Sequence, residues 1–221
     1  MRTISIAGSE WSPPDKNCGA CGHKTCDDMM IAIKGGTADQ EACPFFNSLG
    51  VYAAIKDSVS DMDLLHRYSG SDVVGQKYSF VVQPLPGEPS ARKIVLPFRP
   101  DLVEKWDIVR GDIVVGRPAG AGCPVQHVIR ILDADKDTGV MTGHVVGPSY
   151  SRNREVKDVK AYHMLGFEGK ALPITEEPQF GKRFSFLPGL CMMNRAHTGL
   201  VNMVIKKPWG LHIRIEDILI L

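Results

Sequence analysis

The sequence predicts an α+β protein: a small helical domain over residues 1–70, then a mainly antiparallel β domain, barrel or sandwich, over residues 71–221. Three observations predict it. Four of the six cysteines crowd into residues 18–43, an arrangement that suits a metal-bound group holding a small fold. Apolar residues recur at helical spacing between residues 27 and 65. Beyond about residue 75, short runs rich in β-branched residues alternate with the prolines and glycines that end strands. A chain of 221 residues with 43% hydrophobic content has length and apolar surface for one large domain, or for a small one joined to a medium one.

In order along the chain, residues 2–7 read as a short opening strand. Asp27–Lys34 reads as a helix with Met29, Met30 and Ile33 on one side, stopped by Gly35 and Gly36. A second helix is expected from about Ser48 to Leu65, carried by Leu49, Tyr52, Ala53, Ile55 and Val59. Strands follow at 78–82, 93–98, 112–116, 125–132, 140–146 and 199–205. The polar stretch Asp133–Gly139 lies between two alternating apolar runs and predicts a hairpin. Residues 156–164 and 213–221 fit strand or helix. No internal repeat is present.

Charge and hydropathy narrow the function classes. Twenty-six Lys and Arg against 25 Asp and Glu leave a formal charge of +1, with no basic stripe, so no nucleic-acid partner is expected. The longest apolar runs, such as Ile218–Leu221, are too short for a membrane span. The first eleven residues lack the apolar stretch of an export signal, so a cytoplasmic protein is expected.

In a reducing compartment, Cys18, Cys21, Cys26 and Cys43 are expected to be metal ligands rather than disulfides. Their pattern is C-x2-C-x4-C-x16-C-P. Zinc also takes four thiolates, usually from two paired knuckles. Here one knuckle runs straight into a third cysteine, and the fourth arrives late before Pro44. Such a set suits a cubane, whose irons take sulfurs from different directions. Gly19 and Gly22 leave backbone N–H groups unobstructed near the sulfurs.

The stretch Asn17–Cys26, the amphipathic Asp27–Gly36 and the Cys43-Pro44 pair resemble the four-cysteine iron–sulfur domain found in the Rnf complex B subunit and in the large subunit of the corrinoid iron–sulfur protein. The resemblance covers about residues 11–50. It implies one [4Fe-4S] cluster on Cys18, Cys21, Cys26 and Cys43. Phe45 and Phe46 depart from that family's small residues and are expected to shield one face of the cluster. Neither ferredoxin-like repeats nor a corrinoid barrel accompanies the domain here.

The rest of the chain offers fewer signals. Gly116–Pro124 is rich in glycine, and Gly120 and Gly122 with Arg117 make a candidate loop for an anion or cofactor; a tight turn is the alternative. Cys123, near His127, and Cys191, near Arg195 and His197, are candidate catalytic thiols if folding brings the loops together, as a redox dithiol or with the histidines as a second metal site. Buried apolar packing is the alternative for each. Ser149–Ser151 with Arg152 and Arg154 is a weaker phosphate candidate. Three functions follow. The first is an electron-transfer protein of anaerobic metabolism, passing single electrons to a protein partner or to a site in the β domain. The second is a cluster-dependent redox enzyme, with a small-molecule or anionic ligand at Gly116–Pro124 and Leu187–Gly199. The third is a structural or regulatory module stapled by its cluster.

Overall fold

A computed structural model of the chain describes residues 4–6, 9–13, 15, 17, 19, 21–43 and 68–221. The helix expected at 48–65, the candidate ligand Cys18 and the pair Phe45 and Phe46 lie outside the described residues. The opening strand is found as β1 (Ile4–Ile6), paired antiparallel with β2 (Ser9–Trp11).

The first helix, α1, spans Cys26–Lys34. Its start is fixed by a reciprocal cap: the Asp28 N–H donates to Thr25 Oγ1 at 3.0 Å, and the Thr25 N–H donates to Asp28 Oδ2 at 3.1 Å. Asp27 and Asp28 in the first turn and Lys34 in the last complement the helix dipole. Met29 and Met30 are buried, whereas Ile31 is exposed.

The remainder is one nine-stranded sheet: β3 (Phe80–Gln83), β4 (Arg92–Pro97), β5 (Ile113–Arg117), β6 (His127–Ala134), β7 (Met141–Val145), β8 (Lys157–Pro173), β9 (Arg183–Pro188), β10 (His197–Lys207) and β11 (Gly210–Ile220). The strand order is β11-β10-β9-β3-β8-β4-β7-β6-β5. Most pairings are antiparallel, as expected, and the 133–139 hairpin joins β6 to β7. The sheet is nonetheless mixed, because β3 pairs parallel with β9 and β5 pairs parallel with β8. A short helix, α2 (Asp101–Lys105), lies between β4 and β5.

The organising element is β8. Along its seventeen residues it pairs with β5 at 157–161, β4 at 162–168, β11 at 166–171 and β3 at 170–173. The ladder therefore returns to β8 twice, once through β3, β9, β10 and β11 and once through β4, β7, β6 and β5. Two glycines permit this crowding: a Cβ on Gly166 would lie 2.6 Å from the Ile215 carbonyl, and one on Gly169 would lie 2.3 Å from the Gln83 carbonyl. Phe80, Phe167 and Phe186 fill the space enclosed. Phe80 stacks on Phe186 at 6.0 Å, and Phe167 meets Phe186 edge-on at 5.8 Å.

Candidate functional site

The cysteine loop is shaped by its glycines. Gly19 and Gly22 have φ of +66° and +87°, and the Gly22 N–H donates to the Gly19 carbonyl at 2.9 Å, closing the turn that carries Cys21. The Cys26 N–H donates to Asn17 Oδ1 at 2.8 Å at the mouth of α1. Cys43 follows a single 3-10 turn, Gln40–Ala42, whose side chains leave it buried beside Met29 and Met30, with Cys21 packed against the same cluster. Among the described residues, Cys21, Cys26 and Cys43 form no disulfide. Burial pushes the Cys21 thiol up and the neighbouring Cys26 adds to this, while backbone N–H groups at His23 and Cys21 oppose it. Among the described residues, no three His, Cys, Asp or Glu side chains already converge as a metal-holding group. The donor set itself fits an iron–sulfur cluster: buried or half-buried cysteines in no disulfide, on a turn whose glycines carry no side chain.

The sheet holds this loop with cations and one phenol. Tyr150 O–H donates to the Ala42 carbonyl at 3.0 Å, and Arg154 Nη2 donates to the Glu41 carbonyl at 2.8 Å. The Arg154 guanidinium lies 4.1 Å from the centre of the Tyr150 ring, and that of Arg130 lies 5.9 Å from it. Arg130 also draws the Cys21 thiol downwards. Arg110 packs against Gly19, and Gly111 abuts Gly22 so closely that a Cβ there would lie 2.9 Å from Gly22 backbone atoms. The 149–154 segment, a phosphate candidate by composition, is thus engaged with the backbone beside Cys43.

A second constellation lies in the β domain. The loops carrying Cys123 and Cys191 meet in the wall of one pocket, together with His127, His197 and Lys93. Its cavity of about 60 Å³ has room for a handful of waters or a ligand of a few heavy atoms. Cys123 Sγ lies 3.8 Å from Met193 Sδ, next to the Cys191 loop. Of the proposed anion loop, Arg117, Gly120 and Gly122 are exposed, while Pro118, Ala121 and Cys123 face the pocket. The N–H groups of Ala121, Gly122 and Cys123 donate to carbonyls of the turn itself.

Two residues of this pocket, Lys93 and Ser90, and Tyr162 beside His127 had no place in the sequence reading. Lys93 is 9% exposed, and its Nζ lies 2.9 Å from His127 Nδ1, which lies 2.8 Å from Tyr162 Oη. Burial lowers the Lys93 ammonium to about 8 and the His127 imidazole to about 3, Lys93 reinforcing the latter. Burial likewise raises the Tyr162 phenol. Ser90 Oγ, also in the pocket wall, is buried without a hydrogen-bond partner among the described residues. His197 has its Nδ1 2.9 Å from the Arg195 carbonyl, which fixes the proton on that nitrogen, and burial lowers its imidazole to about 4. One signal for Lys93 was legible: the alternation of β4 puts it on the same face as Val95.

Comparison with known proteins adds two findings. Residues 14–45 match a protein-family model described as "Putative Fe-S cluster". The chain is 32% identical over 206 residues to the uncharacterized protein MJ0119 of Methanocaldococcus jannaschii, a match covering 88% of this chain and 85% of that protein. The chain belongs to the family of MJ0119. Its segment 14–45, which contains all four clustered cysteines, is an iron–sulfur domain. No solved structure matches the chain. Among the described residues, no helix is long and apolar enough to cross a membrane.

Proposed function

We propose that this member of the MJ0119 family is an electron-transfer protein in which Cys18, Cys21, Cys26 and Cys43 hold one [4Fe-4S] cluster, with a cluster domain over residues 1–70 and a receiving β domain over 71–221. When bound, such a cluster supplies a one-electron couple tuned by the hydrogen bonds and charge around its sulfurs. The observation that carries the reading is the match of residues 14–45 to an iron–sulfur family, with Cys21, Cys26 and Cys43 in no disulfide among the described residues.

The chain's own residues have distinct tasks in this reading. Gly19 and Gly22 keep side chains away from the sulfurs and close the turn that carries Cys21. Arg130 and Arg154 supply positive charge beside an anionic group, and Tyr150 anchors the Cys43 loop. Gly147 and Pro148 line the β-domain pocket, and Tyr150 lies two Cα steps beyond Pro148, at most about 7.6 Å. A short stretch of chain therefore links the cysteine loop to the pocket, which favours delivery of electrons into the β domain as well as to a protein partner.

Film voltammetry of the anaerobically purified protein tests the proposal. The expected result is a reversible one-electron wave that disappears in Cys43→Ser. A protein with no wave between strongly reducing and mildly oxidising potentials refutes it. A second reading, a redox enzyme acting on a small ligand, is supported by the meeting of the Gly116–Pro124 and Leu187–Gly199 segments in one pocket.

A further inference from the structure

We propose that the β-domain pocket is a carbonyl-binding site in which the Lys93 amine forms an imine with a small aldehyde or ketone. This inference does not depend on the cluster. It starts from an amine in an unusual place: nine-tenths buried, at the wall of a mostly apolar pocket, with His127 as the hydrogen-bond partner of its Nζ. No carboxylate among the described residues contributes to its charge state; burial is the largest influence, and the thiols of Cys191 and Cys123 oppose it. A lysine in such surroundings becomes a neutral nucleophile near physiological pH. With an ammonium at about 8 instead of 10.5, about 300 times more of the amine is neutral at pH 7.

The neighbours suit the proton transfers of imine formation. A His127 Nδ1 with one lone pair cannot accept from both the Lys93 ammonium and the Tyr162 hydroxyl, though both lie within 2.9 Å. A neutral amine relieves that competition, since Tyr162 O–H then donates to Nδ1. In the reaction, the Nζ lone pair forms the bond to the carbonyl carbon while the C=O π pair moves to oxygen. One proton leaves nitrogen and one reaches that oxygen, through His127 and Tyr162. The hydroxyl then departs as water with the second proton from nitrogen, giving C=N. No oxidant or reductant is needed. Ser90 Oγ, buried in the pocket wall with no hydrogen-bond partner among the described residues, offers a donor and an acceptor to a polar atom of the ligand. The cavity of about 60 Å³ limits the ligand to a few heavy atoms.

The test is reductive trapping on the full-length, cluster-loaded protein. Acetaldehyde, acetone and pyruvate are each incubated with it and sodium cyanoborohydride, and the modified residue is mapped by mass spectrometry. The expected result is one dominant adduct, on Lys93, at least tenfold faster than on any surface lysine. Its rate should rise about tenfold per pH unit up to about pH 8 and then level. Lys93→Arg should lose the adduct while keeping its visible spectrum; if that variant does not fold, the pH profile of Lys93 labelling in the unaltered chain decides alone. Labelling spread over exposed lysines, or pyruvate binding that shifts melting but yields no Lys93 adduct with any probe, overturns the proposal.

Discussion

A methyl group added at Gly111 tests whether the sheet positions the cysteine knuckle. Gly111 has φ of +97°, and a Cβ there would sit 2.9 Å from both the Cα and the N of Gly22, one residue from Cys21. Gly75 has φ of +87° and open space around it, so it isolates the backbone penalty. An alanine at a left-handed position costs about 1–2 kcal/mol. At Gly111 the contact is with backbone rather than with a flexible side chain, so an overpacking cost of about 1–3 kcal/mol is added. Gly111→Ala is therefore expected to destabilise by about 2–5 kcal/mol, and Gly75→Ala by about 1–2 kcal/mol. The assay is paired: denaturant unfolding for stability, and the rate of iron release to a chelator for the knuckle. Gly111→Ala should release iron markedly faster than Gly75→Ala. Equal stabilities together with equal iron-release rates would refute the claim that this turn braces the cluster loop.

Three further outcomes follow from the hydrogen bonds and buried charges. Tyr150→Phe keeps the ring between Arg130 and Arg154 but removes the 3.0 Å bond to the Ala42 carbonyl; it should cost about 1 kcal/mol in denaturant unfolding and quicken loss of the visible chromophore in air. Folding lowers the Lys93 ammonium from 10.5 to about 8, so between those values the unfolded chain holds a proton that the folded chain has released, and stability rises with pH across that window. Lys93→Met should therefore be the more stable protein below pH 8, by up to about 3 kcal/mol, with the difference fading towards pH 10.5 as followed by melting curves. His144, fully buried with Nδ1 3.1 Å from the Ser90 carbonyl, is lowered to about 4 by burial and then by Arg92. Its contribution is complete above pH 6.5 and lost as pH falls towards 4, so acid unfolding should steepen in that range and His144→Gln should flatten it.

The parts of the fold that were legible are those written in local chemistry. The capping residues Thr25 and Asp28 and the stop at Gly35 define α1, and the alternation on either side of 133–139 defines β6 and β7. The extent of β8 was not legible, because Gly166 and Gly169 interrupt its pattern for reasons that lie on other strands, the carbonyls of Ile215 and Gln83. β9 was missed for a related reason: Arg183–Pro188 is short, its burial is nearly continuous, and it pairs parallel with a strand a hundred residues earlier. The pocket shows the same division. Cys123 and Cys191 were recognisable as unusual thiols, but only the closing of the sheet through β8 and β9 brings their loops together. Lys93 sat in plain view on the inward face of an apolar strand; its depth depends on Phe167 and the neighbouring loops, which no local window contains.

The central claim is the four-thiolate cluster, and iron and acid-labile sulfide per chain, with electron paramagnetic resonance before and after dithionite, test it most directly. The account predicts about four of each in anaerobically purified protein, with a reduced S = 1/2 signal lost when any one of Cys18, Cys21, Cys26 or Cys43 is replaced by Ser. One zinc per chain, with no sulfide and no signal, would contradict it.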